Sequence, residues 1–203
     1  MTPDVARRTV GLCVTLAVLP GVATAQSLDP AVMTDAPPYL RALGSAMLVG
    51  LCGGLVLGLR GSLVDRAVDD TMADPTRAVF YGVGAYVFAV FLGLFASTLL
   101  LQFGVDGTPL GVLVSVVLVG GVAVLSGFGY TVLGTVLTDV YGVGGPWQGL
   151  LVGSAISAVP WLVVPVLPAG ATWVLVAAVG VGGRARTWVH SERTVASERA
   201  SYE

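Results

Sequence analysis

The chain has 203 residues, 55% of them hydrophobic and 11% charged, with 28 glycines and a mean hydropathy of +0.88. A soluble domain carries about 25% charge, and a disordered chain needs high charge with low hydrophobicity, so both are excluded in favour of an integral membrane protein. Net charge is -2, and the ten basic residues are all Arg and scattered, which leaves no basic patch for nucleic acid.

Residues 1–25 have the pattern of a secretory signal peptide. Arg7 and Arg8 form the charged start, Val10 to Val22 an apolar core shorter than a spanning helix, and Ala23-Thr24-Ala25 the small-residue cleavage site. An uncleaved first anchor is the alternative. Residues 26–39, with Pro30, Pro37 and Pro38, form a linker expected outside the cell. Cys13 lies in the signal and Cys52 in a span, so the mature protein has no second thiol for a disulfide. Cys52 reads as a small buried hydrophobe.

The first span is predicted over 40–59, long enough for the roughly 30 Å hydrocarbon core. Ala46, Gly50, Gly54 and Gly58 recur every four residues and place small side chains on one stripe, a helix-packing seam. Residues 60–77 put Leu63, Val64, Ala67, Val68, Thr71 and Met72 on one helical face and Asp65, Arg66, Asp69 and Asp70 on the other. This predicts a short amphipathic helix lying in the membrane interface and ended by Pro75. Asp70 and Asp74 are four apart, but two carboxylates without further oxygen ligands make a poor cation site. They read as a solvated acidic face.

The second span, 78–103, is the most aromatic, and a turn follows over 104–109. The third, 110–137, is long enough to tilt, or to kink at Gly127-Phe128-Gly129. The Gly-rich loop from Asp139 to Pro146 lacks the Lys-Ser/Thr end of a phosphate-binding loop. From Trp147 the chain is apolar but interrupted by Pro160, Pro165 and Pro168. Two spans are predicted, 147–165 and 169–183, joined near Leu167-Pro168-Ala169-Gly170 as a Pro-broken hairpin. A partly re-entrant segment is the alternative. Residues 184–203 form a polar tail, a frayed helix end or a disordered segment.

Five spans with the mature N-terminus outside put Arg60, Arg66, Arg77, Arg184, Arg186, Arg193 and Arg199 in the cytoplasm and only Arg41 outside. Four spans would export the tail and its arginines. The charge bias therefore favours five, with a cytoplasmic C-terminus.

Candidate chemistry is sparse. The one His, His190, lies in the polar tail without a Cys or His partner, so no metal site is expected. Ser126 and Ser154 sit in apolar context with no His or Lys in any span, and read as helix-packing hydroxyls rather than nucleophiles. No span carries a central charge, which argues against a proton- or ion-driven pump. Trp147, Trp173 and Trp188 suit interfacial belts, whereas Trp161 reads as mid-span packing. No catalytic, cofactor-binding or metal residue is expected.

Several features carry a resemblance. A first span ends in Leu59-Arg60-Gly61-Ser62-Leu63-Val64-Asp65-Arg66. Asp74-Pro75 follows, then an apolar stretch with Gly82 and Gly84, then two further spans. A Gly- and Pro-rich hairpin closes the domain, from Gly149-Leu150-Leu151-Val152-Gly153 through Val164-Pro165 to Val179-Gly180-Val181-Gly182. Over about 40–188 this resembles the uncharacterised polytopic membrane domain that follows bactofilin-like polymer-forming modules in haloarchaeal and some bacterial proteins. Longer members carry a β-helical module where this sequence has only the linker. The resemblance implies a membrane module without known catalytic residues.

The expected fold is thus all-α, a polytopic transmembrane helical bundle of about five spans after a signal peptide. The expected function is a non-enzymatic module that anchors or scaffolds a partner. A small passive channel or transporter, built on the broken helices around Pro160, Pro165 and Pro168, is the alternative. The expected partners are the lipid bilayer and either an envelope or polymer-forming protein or further copies of the chain.

Overall fold

The computed structural model describes residues 36–105, 107–142 and 145–200, with side chains through 185. The expected signal peptide over 1–25, most of the expected linker and the side chain of His190 lie outside the described residues. Those described form five helices and no strand: α1 Pro38–Ala73, α2 Pro75–Gln102, α3 Pro109–Val140, α4 Pro146–Val163 and α5 Val166–Ala200.

Proline punctuates this order. Pro38, Pro75, Pro109 and Pro146 each open a helix, where the missing N–H removes a donor that has no intrahelical partner anyway. Asp74 and Thr108 cap α2 and α3 by accepting from Arg77 N and Gly111 N. Gly104 and Gly142 take positive φ of 64° and 69° as the chain leaves α2 and α3.

α1 breaks at Arg60 (φ -151°, ψ 60°), at the expected end of the first span near residue 59, and a second helical segment runs on to Ala73. The structure differs from the sequence reading first in what surrounds that segment. The amphipathic stretch is helical, but Val64, Ala67 and Val68 pack with Leu57, Val132 and Leu150 instead of resting on headgroups. Its polar face, Asp65, Arg66 and Asp69, stays exposed. Second, the α4–α5 joint falls at Val164-Pro165 rather than at 167–170. Val164 is extended (φ -122°, ψ 154°), as the residue before a proline prefers. Pro168 fits in the first turn of α5, and the ladder starts with Ala169 N donating to Pro165 O at 2.9 Å. α5 is helical through Ala200, so of the two forms expected for the polar tail the helix end is the one found.

Contacts give the directions. Gly54 lies against Leu150 and Gly50 against Ser154, so α1 and α4 are antiparallel. Thr135 against Gly149 and Tyr130 against Gly153 make α3 and α4 antiparallel. Ala78 on Gly182 and Gly82 on Ala178 do the same for α2 and α5. Hence α1, α3 and α5 run one way and α2 and α4 the other. The start of α1, the end of α4 and the start of α5 meet at one end of the bundle. The bent half of α1, the start of α2 and residue 184 meet at the other. α2 lies chiefly against α5 and barely meets α1 or α3.

Four helices are long and apolar enough to cross a membrane: α1, α2, α3 and Val166–Ala185 of α5. α4 has 18 residues, about 27 Å at 1.5 Å per residue, slightly under the roughly 30 Å hydrocarbon thickness. It is nevertheless packed between α1 and α3 along its length. Large apolar side chains face outward, among them Phe80, Phe88, Phe91 and Phe95 on α2. That is an unfavourable surface in water and an ordinary one in lipid.

Candidate functional site: a buried hydroxyl layer and glycine contacts

Lipid offers helices little hydrophobic drive to associate, so small residues and polar contacts decide how they pack. Both occur here in the middle of the bundle, around α3.

The glycines of α3 bring backbones together. Added Cβ atoms show where no side chain fits. At Gly129 a Cβ would strike the carbonyl of Ala177 on α5, and at Gly180 it would strike the carbonyl of Gly129. At Gly134 it would meet the Gly149 carbonyl of α4, and at Gly127 it would come within 2.5 Å of Cys52 Cβ on α1. The Gly127-Phe128-Gly129 cluster, read from sequence as a place to tilt or kink, is a contact surface inside one continuous helix.

The expected seam residues on α1 occupy different settings. Ala46 is half-buried. At Gly50 and Gly54 a Cβ would meet Ser154 Oγ at 3.5 Å and Leu150 Cδ2 at 3.6 Å, ordinary contact with α4. Gly58 is exposed with nothing within 4 Å. The tightest approach belongs to Gly53, where a Cβ would meet the Thr131 hydroxyl and come within 2.6 Å of Leu150 Cδ1.

Above these contacts lies a layer of hydroxyl and indole groups drawn from all five helices. Ser45 of α1 donates to the Ser157 carbonyl of α4 at 3.0 Å, and Trp173 of α5 donates its indole N–H to Ser45 Oγ at 2.8 Å. Tyr130 of α3 donates to the Trp173 carbonyl at 3.0 Å, its ring tilted against the indole with centroids 5.6 Å apart. Ser126 of α3 spends its proton on the Val122 carbonyl, so Tyr86 of α2 donates to Ser126 Oγ at 2.8 Å. Buried hydroxyls left without partners would cost several kcal/mol in hydrocarbon, on the order of 2–7. Here each has one.

From sequence, Ser126 reads as a packing hydroxyl with no partner to name, and Trp173 as a residue of an interfacial belt. In the fold Trp173 is half-buried and belongs to the layer. Trp161, expected mid-span, stands in the last turn of α4 because that helix ends at Val163. Ser154 bonds within its own helix, to the Leu150 carbonyl at 2.8 Å. Nothing in residue spacing announces Ser45, Ser157, Tyr86 or Tyr130; only their adjacency in space does.

The opposite end is ionic. Arg184 pairs with Asp70 at 3.5 Å, beside the contact of Gly183 with Thr71, and so holds the bent half of α1 against the exit of α5. Arg77 pairs with Asp74 at 3.2 Å across the first turn of α2. Among the described residues, no three of His, Cys, Asp and Glu come together as a metal site would require.

Hydroxyls and an indole without a base beside them can orient helices but supply no general acid or base near neutrality. The long apolar helices and the outward apolar surface define an integral, multi-pass helical membrane protein. No family model matches the chain, and no curated protein or solved structure does either.

Proposed function

We propose that the chain is a non-enzymatic membrane module that holds a partner protein at the cytoplasmic face. The observation that carries this reading is how the centre is used. α3 meets α1, α4 and α5 through backbone contact at Gly127, Gly129 and Gly134, and the polar groups beside them are already bonded, Thr131 and Thr135 to carbonyls of α3 and Tyr86, Tyr130, Ser45 and Trp173 across helices. A bundle closed in this way serves as a rigid support more readily than as a solute path. Support for a cytoplasmic presentation comes from charge: Arg60, Arg66, Arg77 and Arg184 share one end and Arg41 the other. α5 continues from 186 to Ala200, about 22 Å of helix past its apolar part, which offers a handle for a partner. In this reading all five helices traverse the bilayer, and the module corresponds to the membrane domain that accompanies bactofilin-like polymer-forming proteins.

The test is purification from native membranes in mild detergent, with the full chain and with a form shortened after Ala185. A stoichiometric partner that comes with the full chain and is lost from the shortened one is expected. Absence of any partner, together with ion or solute flux in liposomes made with the purified protein, would establish the channel reading instead.

A further inference from the structure

At the Arg41 end of the bundle, two side chains have buried donors that no group among the described residues accepts. Arg41, near the start of α1, has Nε and Nη1 shielded without a hydrogen-bond partner, and Trp161, near the end of α4, has Nε1 in the same condition. The two helices approach in a fixed antiparallel register. Gly54 meets Leu150, Gly50 meets Ser154, and Ser45 bonds Ser157. Each step is about one helical turn on both chains, so the next pair outward is Arg41 with Trp161. The layer of Ser45, Ser157 and Trp173 fixes that register one turn below. From the side, α5 abuts the indole, since a Cβ at Gly170 would lie 3.9 Å from Trp161 Cη2.

Arg and Trp side chains donate only. Shielded guanidinium nitrogens without an acceptor are unfavourable, and among the described residues at these helix ends, 36–50 and 155–175, there is no Asp or Glu to relieve them. What satisfies two guanidinium nitrogens and an indole N–H together is an oxyanion with several acceptor oxygens. Phosphate fits, because the guanidinium fork matches it in two-point geometry. The depth fits as well, near the ends of two helices where headgroups lie. We propose that Arg41 and Trp161 form a phosphate-binding site at this end of the bundle, filled by a phospholipid headgroup or by free phosphate.

The indole N–H resonance of Trp161 reads the site directly. It is assigned in ¹⁵N-labelled protein in maltoside detergent by its loss in Trp161→Phe. One sample is titrated with inorganic phosphate and another with short-chain phosphatidylglycerol. The lipid is expected to move the resonance saturably, and Arg41→Gln to raise the concentration required about tenfold or more. An equal response to inorganic phosphate alone would uphold the site and identify free phosphate as its source. A resonance unmoved by either, or moved equally well in Arg41→Gln, overturns the proposal. If Arg41→Gln is not monodisperse, Arg41→Lys, which keeps the charge but loses the fork, must also weaken the response, and an unaltered titration would again overturn it.

Discussion

Trp173 and Ser45 are 128 residues apart in sequence and 2.8 Å apart in space, indole N–H to hydroxyl oxygen. That bond joins the opening of α5 to the opening of α1. Because Ser45 passes its own proton to the Ser157 carbonyl, one hydroxyl ties three helices.

Ser45→Ala should therefore remove two interhelical bonds and orphan the Trp173 donor. The expected loss is about 1–2 kcal/mol, in line with buried hydrogen bonds in membrane bundles, measured by reversible unfolding in mixed micelles. Trp173→Phe in the Ser45→Ala background should add little beyond its lost packing. A Ser45→Ala protein as stable as the parent would show that the layer contributes nothing.

Glycines can be ranked by what their missing Cβ would strike. Gly129→Ala forces a methyl into the Ala177 carbonyl, and backbone cannot swing aside as a side chain can. A loss of about 1–3 kcal/mol or more is expected. Gly58→Ala meets open space and should be neutral or more stable by up to about 1 kcal/mol from helix propensity. Equal melting temperatures for the two variants would contradict the close-contact account.

Gly53 and Gly54 are neighbours with opposite forecasts. Gly53→Ala should lose about 1–3 kcal/mol through overpacking against Thr131 and Leu150, whereas Gly54→Ala should stay within about 0.5 kcal/mol. The reverse order in an unfolding series would mean that α1 is rotated from the orientation described.

These neighbours mark the limit of what is legible in sequence. Helix positions are written plainly: prolines at 38, 75, 109 and 146 open four helices, and apolar runs follow each. The four-residue repeat from Ala46 to Gly58 marks a stripe of small residues, but how a helix is rotated against two partners depends on those partners. The closest approach accordingly falls on Gly53, outside the repeat. The amphipathic period of 61–73 was legible for the same local reason. What covers its apolar face was not, since lipid and Val132 of α3 are chemically alike. The hydroxyl layer was invisible, because single Ser and Tyr residues become a group only after five helices converge.

The Asp70–Arg184 pair should couple weakly. Its side chains are 28% and 33% exposed, so solvent screens much of the attraction. A double-mutant cycle with Asp70→Asn and Arg184→Gln is expected to give about 0.5–1 kcal/mol, falling as salt rises. A coupling that is zero at low salt would mean that Thr71 and Gly183 alone hold the bent half of α1 in place.

The proposed five-pass arrangement, with α4 as a full crossing, is tested most directly by cysteine accessibility. Cys13 and Cys52 are replaced by Ala, and Tyr39→Cys and Ser201→Cys are introduced separately. Intact cells are then exposed to a membrane-impermeant thiol reagent before and after the membrane is opened. Labelling at position 39 from outside, with position 201 labelled only after opening, is the predicted result. Labelling of both positions in intact cells would leave α4 short of a full crossing and contradict a cytoplasmic C-terminal helix.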